Sequence, residues 1–408
     1  MSRYFAIRVT DPKTNQILVP NLNGKPGFSR VPFSPLVFSY SSLYQGGSPT
    51  RLASNNANAL RVTFDIPTGF LDAPLANAYF RIYGVSLQEI SQGANLNGMN
   101  VAIYGGMAKG LPLANPAQIG PLCQGQILQC FGNWVGTSQT LDMYIQAGGS
   151  SPASNQVTGS VVTSSTLPAP TTNQNPAGIV FQWQPGQHLT DALVPCIQNV
   201  YPQYSVLGTL HQGLVWTGTA VTAVFGKLSQ LAGYVRRASI NLIGGYAPDT
   251  AAYMGVRMSL WNNSIVLQDG TTPTTAKTIY AVDLIGQPTY SEPLEIQVTC
   301  TLRGDIKVGA YVTIPQGQLT IGTGAQVGYV PPPPVESINT AKNNIAFQGS
   351  YLVTAVRHVG DSRNPSGLAW VTTIDVLTTQ PYDANAAVYA QKVLAGQNKS
   401  AYQFFIPS

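Results

Sequence analysis

Three histidines, His188, His211 and His358, are the side chains best placed by type for acid–base work or metal ligation near neutral pH. They lie far apart in the chain and lack the HExxH or paired spacing that sets two imidazoles on one face of an element. Each reads as an ordinary hydrogen-bonded or surface histidine. Cleavage of a glycosidic bond needs two carboxylates facing it; Asp72, Glu89, Asp142 and Asp191 are available, and nothing in their spacing singles out a pair. Cys123, Cys130, Cys196 and Cys300 have no CxxC spacing, and each sits in an apolar strand or helix pattern. That is the setting of buried free thiols rather than of a disulfide, a metal site or an activated nucleophile. The GxSxG elbow is missing. GTGAQVG at 322–328 is GxGxxxG and runs into prolines instead of a helix, so it is no phosphate cradle. A triad that meets only in three dimensions would leave none of these spacings, but the sequence itself assigns no catalytic, cofactor-binding or metal residue.

Two further groups invite a binding role. Arg303-Gly304-Asp305 has the form of an adhesion triplet, yet it follows a buried-looking strand and is better explained as a polar turn. Phe38, Tyr40 and Tyr44 have the chemistry to stack on sugars or bases; packing in a loop contact between subunits suits them better, because interfaces are enriched in Tyr.

The 408 residues leave room for two or three domains, and 44% hydrophobic residues fill their cores. Only 9% are charged, against about 25% in an ordinary domain, so much of the surface is neutral and polar and fit to be covered. The net charge of +5 is spread with no run longer than Arg236-Arg237, which gives no basis for specific nucleic-acid binding. The first residues lack a secretory h-region, and no run of 18 apolar residues occurs. The expectation is a soluble product made in a cytoplasm, with no membrane partner.

Most of the pattern is β. Phe5, Ile7 and Val9 alternate in a first strand, Leu60, Val62, Phe64 and Ile66 in another, and short apolar runs at 101–104, 125–131 and 140–146 are cut by Gly, Pro and Asn. Residues 20–58 show no periodicity and read as a long loop. Residues 148–178 are rich in Ser, Thr and Pro and read as a linker or exposed loop. After a strand at 179–183, Leu189, Ala192, Leu193, Cys196, Ile197 and Val200 make a helical stripe, with Pro195 predicting a kink or a late start. A second helix is predicted to carry Val221, Val224, Phe225, Leu228, Leu231, Ala232 and Val235 on one face, with Arg236 and Arg237 at its negative end. Strands return at 265–267, 278–284 and 294–302. A proline loop spans 316–343 around Pro331–Pro334. A hairpin then runs through Tyr351, Val353 and Ala355, turns at 360–367, and returns through Trp370, Thr372, Ile374 and Val376. A short helix at 384–397 and the apolar end YQFFI at 402–406 close the chain.

The hairpin, NIAFQGSYLVTAVRHVGDSRNPSGLAWVTTIDVLTT at 344–379, together with GMAKGLPLANPAQIG at 106–120, GQILQCFGNW at 125–134, TLDMYIQ at 140–146, GQHLTDAL at 186–193 and RGDIKVGAYVTIP at 303–315, resembles the baseplate hub proteins of contractile-tailed phages. It is similar also to the hub part of type VI secretion spikes. The resemblance runs from about 87 to 379, with gaps at the linker and the proline loop. It implies a mainly β chain with a small α+β part: two barrel-like tube domains, 1–147 and 263–380, a helix-containing domain at 179–262 between them, and a C-terminal arm at 381–408. It also implies a homotrimer of pseudo-sixfold symmetry that joins the hexameric tail tube to the trimeric central spike. Other baseplate proteins and the tape measure protein would be neighbours, in a virion tail assembled in a bacterial cytoplasm. No cofactor and no chemical step are implied. Two other readings stay open: a receptor-binding tail protein gripping host glycans through Tyr-rich loops, and a tail-associated cell-wall hydrolase.

Overall fold

The computed structural model describes residues 2–21, 27–43, 56, 58–109, 115–147, 178–202, 204–243, 253–271, 275–286, 288–292, 295–314 and 349–377. The linker up to residue 177, the proline loop, GTGAQVG, Tyr44 and the C-terminal arm lie outside the described residues.

The N-terminal part contains β1 (Ser2–Thr10), β2 (Ile17–Pro20), β3 (Phe28–Val31), β4 (Tyr40–Ser41), β5 (Arg61–Phe70), β6 (Asn77–Tyr83), α1 (Leu87–Ser91), β7 (Asn100–Lys109), β8 (Gly120–Val135) and β9 (Ser138–Ala147). The period-2 pattern is obeyed closely. Val62, Phe64 and Ile66 on β5, Ala78, Phe80 and Ile82 on β6, and Leu141, Met143 and Ile145 on β9 are all buried. Residues 20–58, read as a loop without periodicity, contribute β3 and β4, which pair with β2 and β1.

The middle part holds β10 (Ile179–Trp183), α2 (Leu189–Val200), β11 (Ser205–Thr209), β12 (Val221–Phe225), α3 (Leu228–Ile243), β13 (Arg257–Trp261) and β14 (Ser264–Gln268). The α2 helix starts at Leu189 and passes through Pro195. The predicted second helix is corrected: Val221 to Phe225 form a strand paired in full register with β10, and α3 begins only at Leu228. Val221, Val224 and Phe225 sit at helical spacing, but Val221, Ala223 and Phe225 also alternate, and pairing with β10 decided for β, leaving Val224 exposed on the other face. Arg236 and Arg237 accordingly fall inside α3, not at its end.

The last part contains β15 (Lys277–Thr278), β16 (Thr289–Glu292), β17 (Glu295–Thr301), β18 (Tyr311–Ile314), β19 (Gly349–Asp361) and β20 (Trp370–Leu377). The strand expected over 278–284 ends at Thr278, and residues 281–283 form a 3-10 turn. There the Asp283 carboxylate accepts from the Tyr280 N–H at 3.2 Å, and this local bond competes with a sheet ladder.

One 15-stranded sheet runs β16-β17-β20-β19-β5-β6-β9-β8-β7-β1-β2-β3, with β4 on β1 and β18 bridging β15 and β19. It is a path with two ends, and no barrel closes among the described residues. The joint is β19, whose residues Ala355 to Asp361 pair antiparallel with β5. Ile296, Val298, Ile306, Val312, Val353, Ile374 and Val376 form a core of their own beneath the last strands. The core of the N-terminal strands instead continues into the middle part through Phe181, Trp183, Leu193 and Leu231. No helix among the described residues is long and apolar enough to cross a membrane.

Candidate functional site

The residues singled out for chemistry each have a local structural role. His188 is the N-cap of α2: its Nδ1 accepts from the Thr190 N–H at 3.3 Å, so its Nε2 is the protonated nitrogen and donates to the His211 carbonyl at 3.0 Å. His211 Nδ1 accepts from the Gly213 N–H at 3.0 Å within its own turn. His358 is fully buried on β19. Its neighbour Thr372 Oγ1 donates to the Arg303 carbonyl at 3.2 Å, leaving that oxygen to accept from His358 Nδ1–H at 2.9 Å. His358 Nε2 is then an acceptor with no partner. Burial, reinforced by the Lys307 charge, pushes this imidazole down to about 3. It is neutral at physiological pH.

The four carboxylates are not brought together. Asp72, at φ 69°, accepts from the Met258 N–H at 3.1 Å and pairs with Arg257. Glu89 closes a capping box with Ser86 at the start of α1 and accepts from the Tyr40 hydroxyl at 2.9 Å. Asp142 lies beneath the outer face of β9, where Tyr79, Arg81, Asn133 and Thr140 all donate to it. Burial alone would raise its carboxyl, but the bonds from Arg81, Tyr79 and Asn133 outweigh that and hold it below the usual carboxylate range. Asp191 is exposed in the first turn of α2. All four cysteines are free and buried, and burial pushes each thiol up to about 12, so none offers a thiolate. No cluster of three metal-ligating side chains occurs among the described residues.

Tyr40 is buried with its hydroxyl committed to Glu89, and Phe38 packs edge-on against Tyr104 at 5.9 Å with the Arg8 guanidinium 4.7 Å from its ring. These rings hold the 28–43 segment on β1 and are not presented for stacking.

The Arg303-Gly304-Asp305 triplet turns out to form a second junction between the N-terminal strands and the last ones, in addition to the β5–β19 ladder. Arg303 is 2% exposed and forks onto Asp305 at 2.7 and 2.8 Å. Gly304 donates its N–H to the Gln118 carbonyl at 2.9 Å, and a Cβ on it would meet the Gly120 backbone at 2.6 Å. Gln118 Nε2 donates to Asp283 at 3.1 Å, and Lys307 Nζ to the Pro121 carbonyl at 2.7 Å. Trp370 adds a bond from its indole N–H to the Gly106 carbonyl at 3.0 Å and an edge-to-face contact with Phe64 at 5.2 Å. Sequence reasoning placed the triplet in a polar turn; the turn is polar but buried, a fact that only its distant partners at 118–121 determine.

Along the outer face of the sheet, charges are matched in place. Arg357 forks onto Asp65, Arg61 onto Asp361, and Arg81 meets Asp142. Phe131, Tyr144 and Tyr79 stack beside them at 6.1 and 5.2 Å between neighbouring rings. Asp65, Asp361 and Asp142 on this face are thus each answered by a guanidinium.

No protein-family model matches the chain, and no curated protein matches it. Among solved structures it is similar to the tail protein from Neisseria meningitidis MC58, at 10% identity over 94% of this chain and 99% of that one, with a TM-score of 0.41. A 43 kDa tail protein of prophage MuSo2 from Shewanella oneidensis is similar at 8% identity over 94% and 100%, with a TM-score of 0.44. The half-lidded Francisella PdpA-VgrG complex is similar at 7% identity over 92% of this chain and 57% of that one, with a TM-score of 0.38.

Proposed function

We infer that this protein is a non-catalytic structural hub of a phage tail baseplate, a homotrimer that joins a sixfold tail tube to a threefold central spike. The observation that supports this reading is the lateral sharing of one sheet by two β units. The β5 strand of the first is hydrogen-bonded to β19 of the second, and the second keeps a separate core. A chain that sets two such units side by side can present six of them from three copies, which is what a sixfold partner requires. The low charge and the internally matched outer face agree with surfaces buried for good. In this reading the neighbours are the tube protein, the spike protein and other baseplate proteins, with the tape measure protein in the lumen, and the location is the virion tail.

The glycan-binding reading loses Tyr40, whose hydroxyl and ring are both committed inside the fold. The hydrolase reading loses its support with the four carboxylates held apart in separate roles. The purified full chain is expected to sediment as three copies and to give ring-shaped particles with threefold symmetry and six similar lobes by electron microscopy. A monomer at all concentrations, alone and mixed with tube and spike proteins, would overturn the reading.

A further inference from the structure

The β8–β9 hairpin closes at Val135 and Ser138, with Gly136 at φ 59° in the turn. At its tip Trp134 is 62% exposed and Val135 75% exposed. The Trp134 indole N–H donates to the Gly136 carbonyl at 2.8 Å. The only polar group of the ring is therefore satisfied inside the turn, and the ring can be buried against a partner without stranding a donor. No charged residue occurs from Gly132 to Thr140. The Gly84 N–H bonds the carbonyl of Gln139, the residue paired with Trp134, at 2.8 Å, so the tip is braced where it leaves the sheet.

An open cleft of about 440 Å³ lies elsewhere on the same chain, between β5, β6 and the loop after β19. Phe64, Asp65, Tyr79, Val359, Asp361 and Leu368 line it. Its carboxylates are already held, Asp65 by Arg357 and Asp361 by Arg61. Leu368 stands 65% exposed on its wall. An uncharged aromatic tip can enter it without desolvating an unmatched charge, and Tyr79 and Leu368 supply the apolar and aromatic surface that a buried Trp anchor uses. The volume is within the range of about 300–1,000 Å³ that holds a bound group of that size.

We propose that the Trp134–Val135 tip of one copy seats in the Tyr79–Leu368 cleft of a second copy of this chain. Tip and cleft are different patches, so the contact is head-to-tail and propagates around a ring rather than closing a two-copy pair. This rests on the hub reading, which requires copies to surround an axis, and it names the surface that joins them.

Sedimentation of the full chain tests it with two variants at exposed positions: Trp134→Ser combined with Val135→Ser, which removes the tip, and Leu368→Arg, which blocks the cleft. Each variant alone, shown folded by its thermal melt, is expected to associate at least about tenfold more weakly, the loss expected of one buried anchor. An equimolar mixture has one intact tip facing one intact cleft and is expected to form a two-copy complex that grows no further. If the wild type assembles and either variant keeps its sedimentation, the contact is wrong while the hub reading stands. The same holds if the tip variant melts lower and still assembles, since Trp134 would then brace only its own turn. A wild type that never associates overturns contact and hub reading together.

Discussion

His358 shows how an isolated ionisable residue is read through its surroundings. In the folded chain its imidazole is held at about 3, below its ordinary 6.5, by burial first and by Lys307 second. A base whose folded pKa is depressed stabilises the fold only while it is neutral. Below pH 6.5 the unfolded chain takes up a proton that the folded chain refuses, and stability falls with every further drop in pH until the folded pKa is reached. The expected slope from this residue is about 1.4 kcal/mol per pH unit between roughly pH 6 and pH 4. Urea melts at a series of pH values should show it in the wild type and lose it in His358→Gln. An unchanged slope in the variant would mean that the folded chain does not hold His358 neutral, since Asp142, kept below the usual carboxylate range, gives up its stabilisation only at still lower pH. Of the carboxylates, Asp142 illustrates the opposite environment, a buried acid kept ionised by four donors.

At the scale of elements, the junction turn at 303–305 depends on backbones that touch. Gly304 and Gly120 face each other so closely that a methyl on either would meet the other's main chain, which has no rotamer through which to retreat. Gly304→Ala is expected to cost about 2 kcal/mol or more by overpacking. Gly367→Ala, with nothing within 4 Å of the added carbon, should stay within about 0.5 kcal/mol as an ordinary exposed substitution does. Thermal or chemical unfolding of the two variants side by side checks the difference. Equal losses would show that the 303–305 turn can shift away from the 118–121 segment.

For the molecule as a whole, β5 and β19 make two cores mechanically one. The ladder between them, the Trp370 indole bond to Gly106 and the Arg61–Asp361 fork all cross the joint. The N-terminal and last strands should therefore unfold in a single calorimetric transition, with matching calorimetric and van't Hoff enthalpies. Trp370→Ala removes the indole bond and the contact with Phe64 and is expected to cost about 3–5 kcal/mol. It should also split the transition in two. A single transition in the variant would show that the strand ladder alone couples the units.

Much of the strand content was legible in the sequence because alternation is local: Val62, Phe64 and Ile66, or Thr372, Ile374 and Val376, state their own buried face whatever their partners are. The lack of any spacing suited to chemistry was equally a property of the sequence. Only the tertiary structure decided that Val221–Phe225 is a strand, because both periods fitted and the partner β10 lies about forty residues earlier in the chain. It alone decided that Arg303-Gly304-Asp305 is buried, and that β19 joins β5 across almost 300 residues. Periodicity tells a strand which side faces inward and carries no information about which distant edge will satisfy its backbone.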